Sequence, residues 1–198
     1  MPGPLKWLGG WVLGGLTALV VGTAVALWVI FSGAFDATAS TPHLAPVAWA
    51  THTAMIHSIR ARAAGVKAPS RFTEAQVVAG FAEYDLRCAA CHGGPGVPRA
   101  TWAAAITPTP PYLLDAARRW SPGELYFIVN NGVKMTAMPA WGEVERPDQV
   151  WDLVAFLEAL PGLSAGNYAR LRASAAPPRP FLEGAAPPAA AHGATPAS

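Results

Sequence analysis

The sequence predicts an all-α protein in which one N-terminal transmembrane helix precedes a small helical domain. Three observations predict this fold class. The run Trp7–Phe31 contains no charged residue, and it is longer than the roughly 20 apolar residues that a helix needs to cross a bilayer. Later segments open with helix-capping patterns and lack the alternation of β-strands. Charged residues make up only 13% of the chain and apolar residues 52%, a balance that is not typical of a freely soluble enzyme.

Residues 1–31 are predicted to be the membrane anchor. Trp7 near one end of the apolar run and Trp28 near the other fit the aromatic belts at the two membrane interfaces. A secretory leader has an apolar core of about 7 to 15 residues, so the longer run favours an anchor that is not removed. The alternative is a long leader that is cleaved near Ala37–Ala39. The positive charges on the two sides of the run do not settle its orientation.

Residues 32–70 are predicted to be a linker that contains one short amphipathic helix. The first part, residues 32–47, is small, polar and proline-bearing, as in an irregular connector. The segment Ala48–Ala64 is expected to be helical, with Arg60 and Arg62 near its C-terminal end, where cations suit the helix dipole. We expect this helix to lie along the membrane surface or on a partner.

Residues 71–163 are predicted to form a compact domain of three main helices. Each helix begins with a capping residue or a proline, and turn residues mark where the later two end. The three begin after Thr73, after Ser121 and at Arg146–Pro147, and the last two end at Gly132 and at Pro161–Gly162. A domain of this size has a small apolar core, so we expect a bound cofactor to complete it.

Residues 164–198 are predicted to be a disordered tail. They are rich in alanine and proline and show no apolar periodicity. Such a segment cannot bury enough apolar surface to offset the entropy lost on ordering.

The pentapeptide Cys88–His92 carries the most specific chemistry in the chain. Cys88 and Cys91 are spaced so that each can form a thioether with a vinyl group of one haem, and His92 can direct its imidazole to the iron. A thioredoxin-like redox pair would need a βαβ context. A structural zinc site would need four ligands, but the chain has only two cysteines. The pattern therefore favours one covalently attached haem c.

Two residues before this motif strengthen that interpretation. Gly80 and Tyr84 lie eight and four residues before Cys88, and this series resembles the first helix of class I c-type cytochromes. In that family the small residue and the aromatic residue meet a Leu-x-x-aromatic pair on the C-terminal helix. Leu153 and Phe156 are available here for that contact. Glycine allows two helices to cross closely, and the aromatic ring fills the space beside the crossing.

The resemblance implies a cytochrome c-like haem domain over residues 71–163, with His92 as one axial ligand of the iron. The segment Asn131–Gly142 looks like the family's sixth-ligand loop. It implies Met138, which precedes a proline as the family's axial methionine often does, as the ligand on the opposite face. Met135, three residues earlier, is one alternative, and a histidine or a vacant position is the other.

The second ring nitrogen of His92 is expected to have a backbone partner. A ligating histidine usually donates its other ring N–H to a fixed acceptor, which sets the tautomer and the ring orientation. The carbonyl of Pro95 or of Pro98 is expected to accept this hydrogen bond, and the sequence does not choose between them.

The function that the resemblance implies is transfer of single electrons, and the chain is not expected to be an enzyme. Iron with two fixed axial ligands leaves no open position for a substrate. Haem c is attached on the outer side of the bacterial inner membrane, so we expect a single-pass protein with its haem domain in the periplasm. The expected partners are membrane-embedded or periplasmic redox proteins of a respiratory chain.

Two alternatives stay open. A fixed haem c subunit of a multisubunit dehydrogenase or terminal oxidase would co-purify with its partners, and a haem-based gas sensor or catalyst would bind carbon monoxide when reduced. Nucleic acid is not an expected partner. Residues 71–163 hold seven Lys or Arg against ten Asp or Glu, which is not the basic face that nucleic-acid binding needs.

Overall fold

The computed structural model describes residues 4–175 and residue 177. The chain divides into two compact units, with the boundary between Thr41 and Pro42. Within the described residues the secondary structure consists of helices and turns, without a β-strand, and one isolated bridge pairs Gly94 with Val97. The predicted all-α fold class is therefore confirmed.

The first unit is dominated by one long helix, α1 (Pro4–Ser32). Its part Gly9–Ser32 spans 24 residues with a mean hydropathy of 2.1. At 1.5 Å of rise per residue such a segment is roughly 36 Å long, which exceeds the hydrocarbon core of about 30 Å. By length and composition, α1 can cross a membrane once, as the sequence predicts.

The second unit contains seven helices among the described residues, joined by loops and short 3₁₀ turns. The helices are α2 (Ala45–Ala63), α3 (Glu74–Arg87), α4 (Ala89–His92), α5 (Ala116–Arg119), α6 (Pro122–Asn131), α7 (Pro147–Ala159) and α8 (Ala165–Ser174). The 3₁₀ turns are Thr101–Ala105, Trp141–Glu143 and Leu160–Gly162.

The predicted caps set the starts of α3 and α6. Before α3, the Thr73 hydroxyl accepts the Gln76 N–H at 3.3 Å, and the Gln76 side-chain oxygen accepts the Thr73 N–H at 3.1 Å. Ser121 and Glu124 form the same reciprocal pair before α6. Each pair satisfies two backbone donors that the first helical turn leaves without partners. The helix starts expected from these residues are confirmed.

The helices α3 and α7 cross at a glycine. A Cβ atom on Gly80 would lie 1.8 Å from the backbone oxygen of Asp152, so only glycine fits at this point. Beside the crossing, the rings of Tyr84 and Phe156 have centroids 5.0 Å apart. The predicted contact of Gly80 and Tyr84 with Phe156 is confirmed, and Leu153 lies buried in the same core.

The apolar core of the second unit forms around this crossing. Its largest fully buried side chains are aromatic or leucine, and they come mainly from α3 and α7. These side chains are Phe81, Tyr84, Leu153, Phe156, Leu160 and Tyr168. Cys88, Met138 and Trp141 are partly buried against the same core, so the candidate site residues and the helix crossing share one interior.

The segment predicted to be a linker differs from expectation. The helix α2 begins at Ala45, and its C-terminal half packs on α6, where Ile59 and Ala63 are buried. Arg60 Nε lies 3.9 Å from Glu124 Oε1 at the edge of this contact. The second unit therefore starts near Pro42 and not near residue 71. The sequence did not indicate that this helix belongs to the domain, because only the last turns of α2 carry buried side chains.

The predicted disordered tail also needs correction at its start. Residues 165–174 form α8, and its Tyr168 is fully buried against α3 and α7. The Tyr168 hydroxyl donates to Asp85 Oδ1 at 3.0 Å, and Arg172 Nε donates to the same carboxylate at 2.9 Å. One aromatic anchor and one ion pair thus order a helix without apolar periodicity. Most of the remaining tail, from residue 178 onward, lies outside the described residues.

Candidate functional site

The two cysteines lie on the short turn that follows α3. The Cys88 N–H still donates to Tyr84 at 2.9 Å, and the N–H groups of Cys91 and His92 both donate to the Cys88 carbonyl, at 3.0 and 2.8 Å. One helical turn, α4 together with its N-cap residue Cys88, therefore carries the whole pentapeptide. Neither cysteine forms a disulfide, and both are partly buried.

Buried charges adjoin the first cysteine. Burial raises the pKa of the Cys88 thiol to about 12, the carboxylate of Glu145 acts in the same direction, and the guanidinium of Arg87 opposes it. The Cys88 sulfur is therefore neutral at pH 7. Glu145, which follows Met138 by seven residues, therefore lies close to Cys88. We call the segment Cys88–His92 the attachment turn.

His92 is held by the carbonyl of Pro111. Its Nδ1 lies 2.7 Å from that oxygen, and because a carbonyl can only accept, Nδ1 carries the proton. The expectation that Pro95 or Pro98 would accept this bond is wrong. The acceptor, Pro111, lies 19 residues after His92 in the sequence, and the intervening chain folds back to bring it there. Burial lowers the pKa of His92 below its ordinary value of 6.5. The imidazole is therefore neutral at pH 7, with the Nε2 lone pair available to a metal.

The loop that supplies Pro111 is fastened by Arg99. The Arg99 guanidinium donates to the carbonyl of Pro110 and stacks over the Tyr112 ring at 3.9 Å. Gly93 makes this close return possible, because it has a φ of +66° and a Cβ there would lie 2.8 Å from the Tyr112 ring. These contacts fix the loop on both sides of the carbonyl that orients His92.

Two tyrosines hold the backbone just after His92. The Tyr84 hydroxyl donates to the Gly93 carbonyl at 2.6 Å, and burial raises the pKa of Tyr84 well above its usual value. A Cβ on Gly94 would lie 2.8 Å from the Tyr168 ring. Tyr84 thus links the helix crossing to the attachment turn, and α8 covers the loop that leaves it.

Short-range hydrogen bonds organise the segment Asn131–Gly142, which we call the methionine loop. The Thr136 hydroxyl donates to the Val133 carbonyl at 2.7 Å and accepts the Met138 N–H at 3.0 Å. The Val133 N–H donates to the Met138 carbonyl at 3.2 Å. Gly132, with a φ of +64°, starts the loop, and a Cβ there would lie 2.6 Å from the Pro139 backbone. The loop therefore holds Met138 in one backbone position.

The two methionines of this loop differ in burial. Met135 is 83% exposed and has a φ of +59°. Met138 is partly buried and packs against the apolar core that Cys88 also touches. This difference favours Met138 over Met135 as a ligand that faces the interior.

The residues present fit a covalently bound haem. Two free thiols lie one helical turn apart, a neutral imidazole has its Nδ1–H already bonded, and a thioether sulfur comes from a separate loop on the same core. Imidazole and thioether are axial donors that haem iron accepts. The sequence did not identify Pro111, Arg99 or Tyr168. The helix that carries Tyr168 was detectable in the sequence, because Ser164 can cap it by accepting the Asn167 N–H, and this hydrogen bond forms. No local pattern marks Pro111 as the partner of His92.

Comparison with known protein families indicates a c-type cytochrome domain. Residues 75–157 match the family model described as cytochrome C oxidase, cbb3-type, subunit III. The matched range contains the pentapeptide, the methionine loop and most of both helices of the crossing. No curated protein matches the chain.

Proposed function

Because residues 75–157 form a c-type cytochrome domain, we propose that the chain is a membrane-anchored monohaem cytochrome that carries single electrons between redox proteins. Cys88 and Cys91 would attach one haem c, and His92 and Met138 would be its axial ligands. When bound, the haem supplies a reversible one-electron couple. The observation that carries this proposal is the Nδ1 bond from His92 to Pro111, which presents a neutral Nε2 beside two free thiols.

The residues of the chain would keep the ligand set fixed during electron transfer. Pro111 holds the imidazole in one tautomer, and Thr136 holds the backbone of Met138. With His92 and Met138 both bound to the iron, the metal would have no open position for a substrate, which favours electron transfer over catalysis. Both residues would be held in place by these hydrogen bonds when a haem is bound.

The apolar helix α1 suggests single-pass anchoring, and we propose the inner membrane of a bacterium as its location. Its N-terminus would lie in the cytoplasm and the second unit in the periplasm, where haem c is attached. The donor and the acceptor would then be membrane-embedded or periplasmic redox proteins of a respiratory chain.

A second candidate function is a fixed haem c subunit of a multisubunit dehydrogenase or terminal oxidase. The family match favours the oxidase, because the description of that family is a subunit of a cbb3-type cytochrome c oxidase. In this role α1 would pack permanently against partner helices.

A redox titration of the full chain in mild detergent tests the proposal. We expect one covalently bound haem, a single one-electron wave, and no carbon monoxide binding to the reduced protein at rest. Carbon monoxide binding would instead support a gas sensor or a catalyst with an open position. Extraction of native membranes separates the two candidate roles: a carrier elutes alone, whereas a fixed subunit elutes with oxidase or dehydrogenase subunits.

A further inference from the structure

Three charged side chains are buried together beside the attachment turn. Arg87 lies at the end of α3 and is 5% exposed, and Glu83 and Glu145 are 1% and 0% exposed. Arg87 Nη1 donates to Glu145 Oε1 at 2.6 Å and also contacts the carboxylate of Glu83. Gln149 of α7 donates to Glu83 Oε1 at 3.4 Å. We call Glu83, Arg87 and Glu145 the buried charge cluster.

The buried charge cluster adjoins the residues that would hold the haem. Arg87 directly precedes Cys88, and the charges of both Arg87 and Glu145 act on the Cys88 sulfur. Glu145 belongs to the segment that leads from Met138 to α7, and its N–H donates to the Trp141 carbonyl at 2.8 Å. The cluster therefore joins the attachment turn to the end of the methionine loop.

Stability alone does not account for this cluster. Removing ions from water is costly, and proteins with apolar replacements for a buried ionic triad are often equally stable or more stable. Two carboxylates face one guanidinium, so the cluster carries a net charge of −1 when both are ionised. In a buried site this charge is weakly screened. A nearby negative charge favours the state of the iron with the larger positive charge, which is the oxidised state.

We propose that the buried charge cluster lowers the reduction potential of the haem domain, with Glu145 and Glu83 as the residues that set it. The thioether of an axial methionine raises the potential of a haem relative to two imidazoles, and the cluster works against that rise. This inference rests on the proposed haem attachment at Cys88 and Cys91.

Potentiometric titration of the haem-loaded full chain in detergent tests the inference. Glu145→Gln removes one buried negative charge and keeps an oxygen that can accept from Arg87, and Glu83→Gln does the same on the other side. Both variants are expected to shift the midpoint potential upward. The matched control is Glu143→Gln, which makes the same change two residues away at an exposed position and is expected to shift the potential much less.

The optical spectrum separates an electrostatic effect from a change of ligands. The inference requires that Glu145→Gln keep the methionine-to-iron charge-transfer band while its potential rises. A potential equal to that of Glu143→Gln, with haem bound, would overturn the inference and leave the proposed function intact. If Glu145→Gln does not yield holoprotein, the midpoint potentials of Glu83→Gln and Glu143→Gln are compared instead. Equal potentials of these two variants would overturn the inference. A wild-type chain without covalent haem would instead refute the proposed function, and the inference with it.

Discussion

The α3–α7 crossing and the loops that carry the candidate ligands are built by different interactions. The crossing depends on apolar rings and on the missing side chain of Gly80, where no additional atom fits. The loops depend on hydrogen bonds to backbone groups, such as His92 to Pro111 and Met138 to Thr136. One atom added at the crossing meets the backbone of a packed helix, whereas the loss of one hydrogen bond removes only part of what holds a loop. The loops share the steric limit at their glycines, Gly93 and Gly132. At other positions the two regions should respond differently to substitution.

The largest loss of stability is expected at the crossing. Gly80→Ala would place a Cβ against the Asp152 backbone, and relief requires α7 to move, so we expect a cost of about 3 kcal/mol or more. Gly166→Ala in α8 is the matched control, because nothing lies within 4 Å of its Cβ position. The control should be neutral or stabilise by up to about 1 kcal/mol. Chemical denaturation measures both, and equal stability of the two variants would contradict the tight crossing.

The next largest effect is expected in the methionine loop. Met138→Ala removes a partly buried side chain and the proposed sixth ligand, so we expect about 2 kcal/mol of destabilisation. We also expect loss of the charge-transfer band at the red edge of the oxidised spectrum and carbon monoxide binding to the reduced protein. Met135→Ala, at an exposed position, should keep the wild-type spectrum. The reverse pattern would assign the ligand to Met135.

A comparable effect on stability is expected from the glycine that starts this loop. Gly132→Ala introduces a side chain at positive φ and against the Pro139 backbone, which should cost about 1 to 3 kcal/mol. Because the strain falls on the loop, we expect a weaker charge-transfer band and an otherwise intact helix content by circular dichroism. An unchanged band would show that the position of Met138 does not depend on this turn.

The smallest effect is expected at α8. Tyr168→Phe removes the bond to Asp85 and keeps the ring, at a cost of about 1 kcal/mol near pH 7. Burial raises the pKa of Tyr168 above its ordinary value of 10.0. Above that pH the unfolded chain binds fewer protons than the folded chain, so stability falls as pH rises. The variant should lose stability less steeply there than the wild type, and parallel unfolding curves from pH 9 to 11 would contradict this account.

The sequence predicted the parts of the fold that depend on local patterns. The capping pairs Thr73–Gln76 and Ser121–Glu124 are set by residues three apart, and both form as expected. The contact of Gly80 with α7 was predictable only through the resemblance to class I c-type cytochromes, in which the small residue at this position meets the C-terminal helix. The apolar helix α1 was predictable because a membrane-spanning segment needs a long run without charges.

Contacts between distant, weakly patterned segments were not predictable. Pro111 reaches His92 only because Arg99 and Tyr112 turn the intervening loop back, and no spacing rule encodes that return. The helices α2 and α8 were missed as parts of the domain for a related reason. Each buries only one or two side chains, so neither shows the apolar periodicity of a core helix. Their order comes from tertiary contacts with α6 and α3.

Mass spectrometry of the denatured full chain, combined with its pyridine haemochrome spectrum, tests the central claim most directly. The account predicts a mass increase of one haem that survives denaturation and acid–acetone extraction, together with the α band of a haem with both vinyl groups saturated. The double variant Cys88→Ala, Cys91→Ala should lose both signals. A colourless wild-type chain of unmodified mass, recovered from cells that mature other c-type cytochromes, would contradict the account.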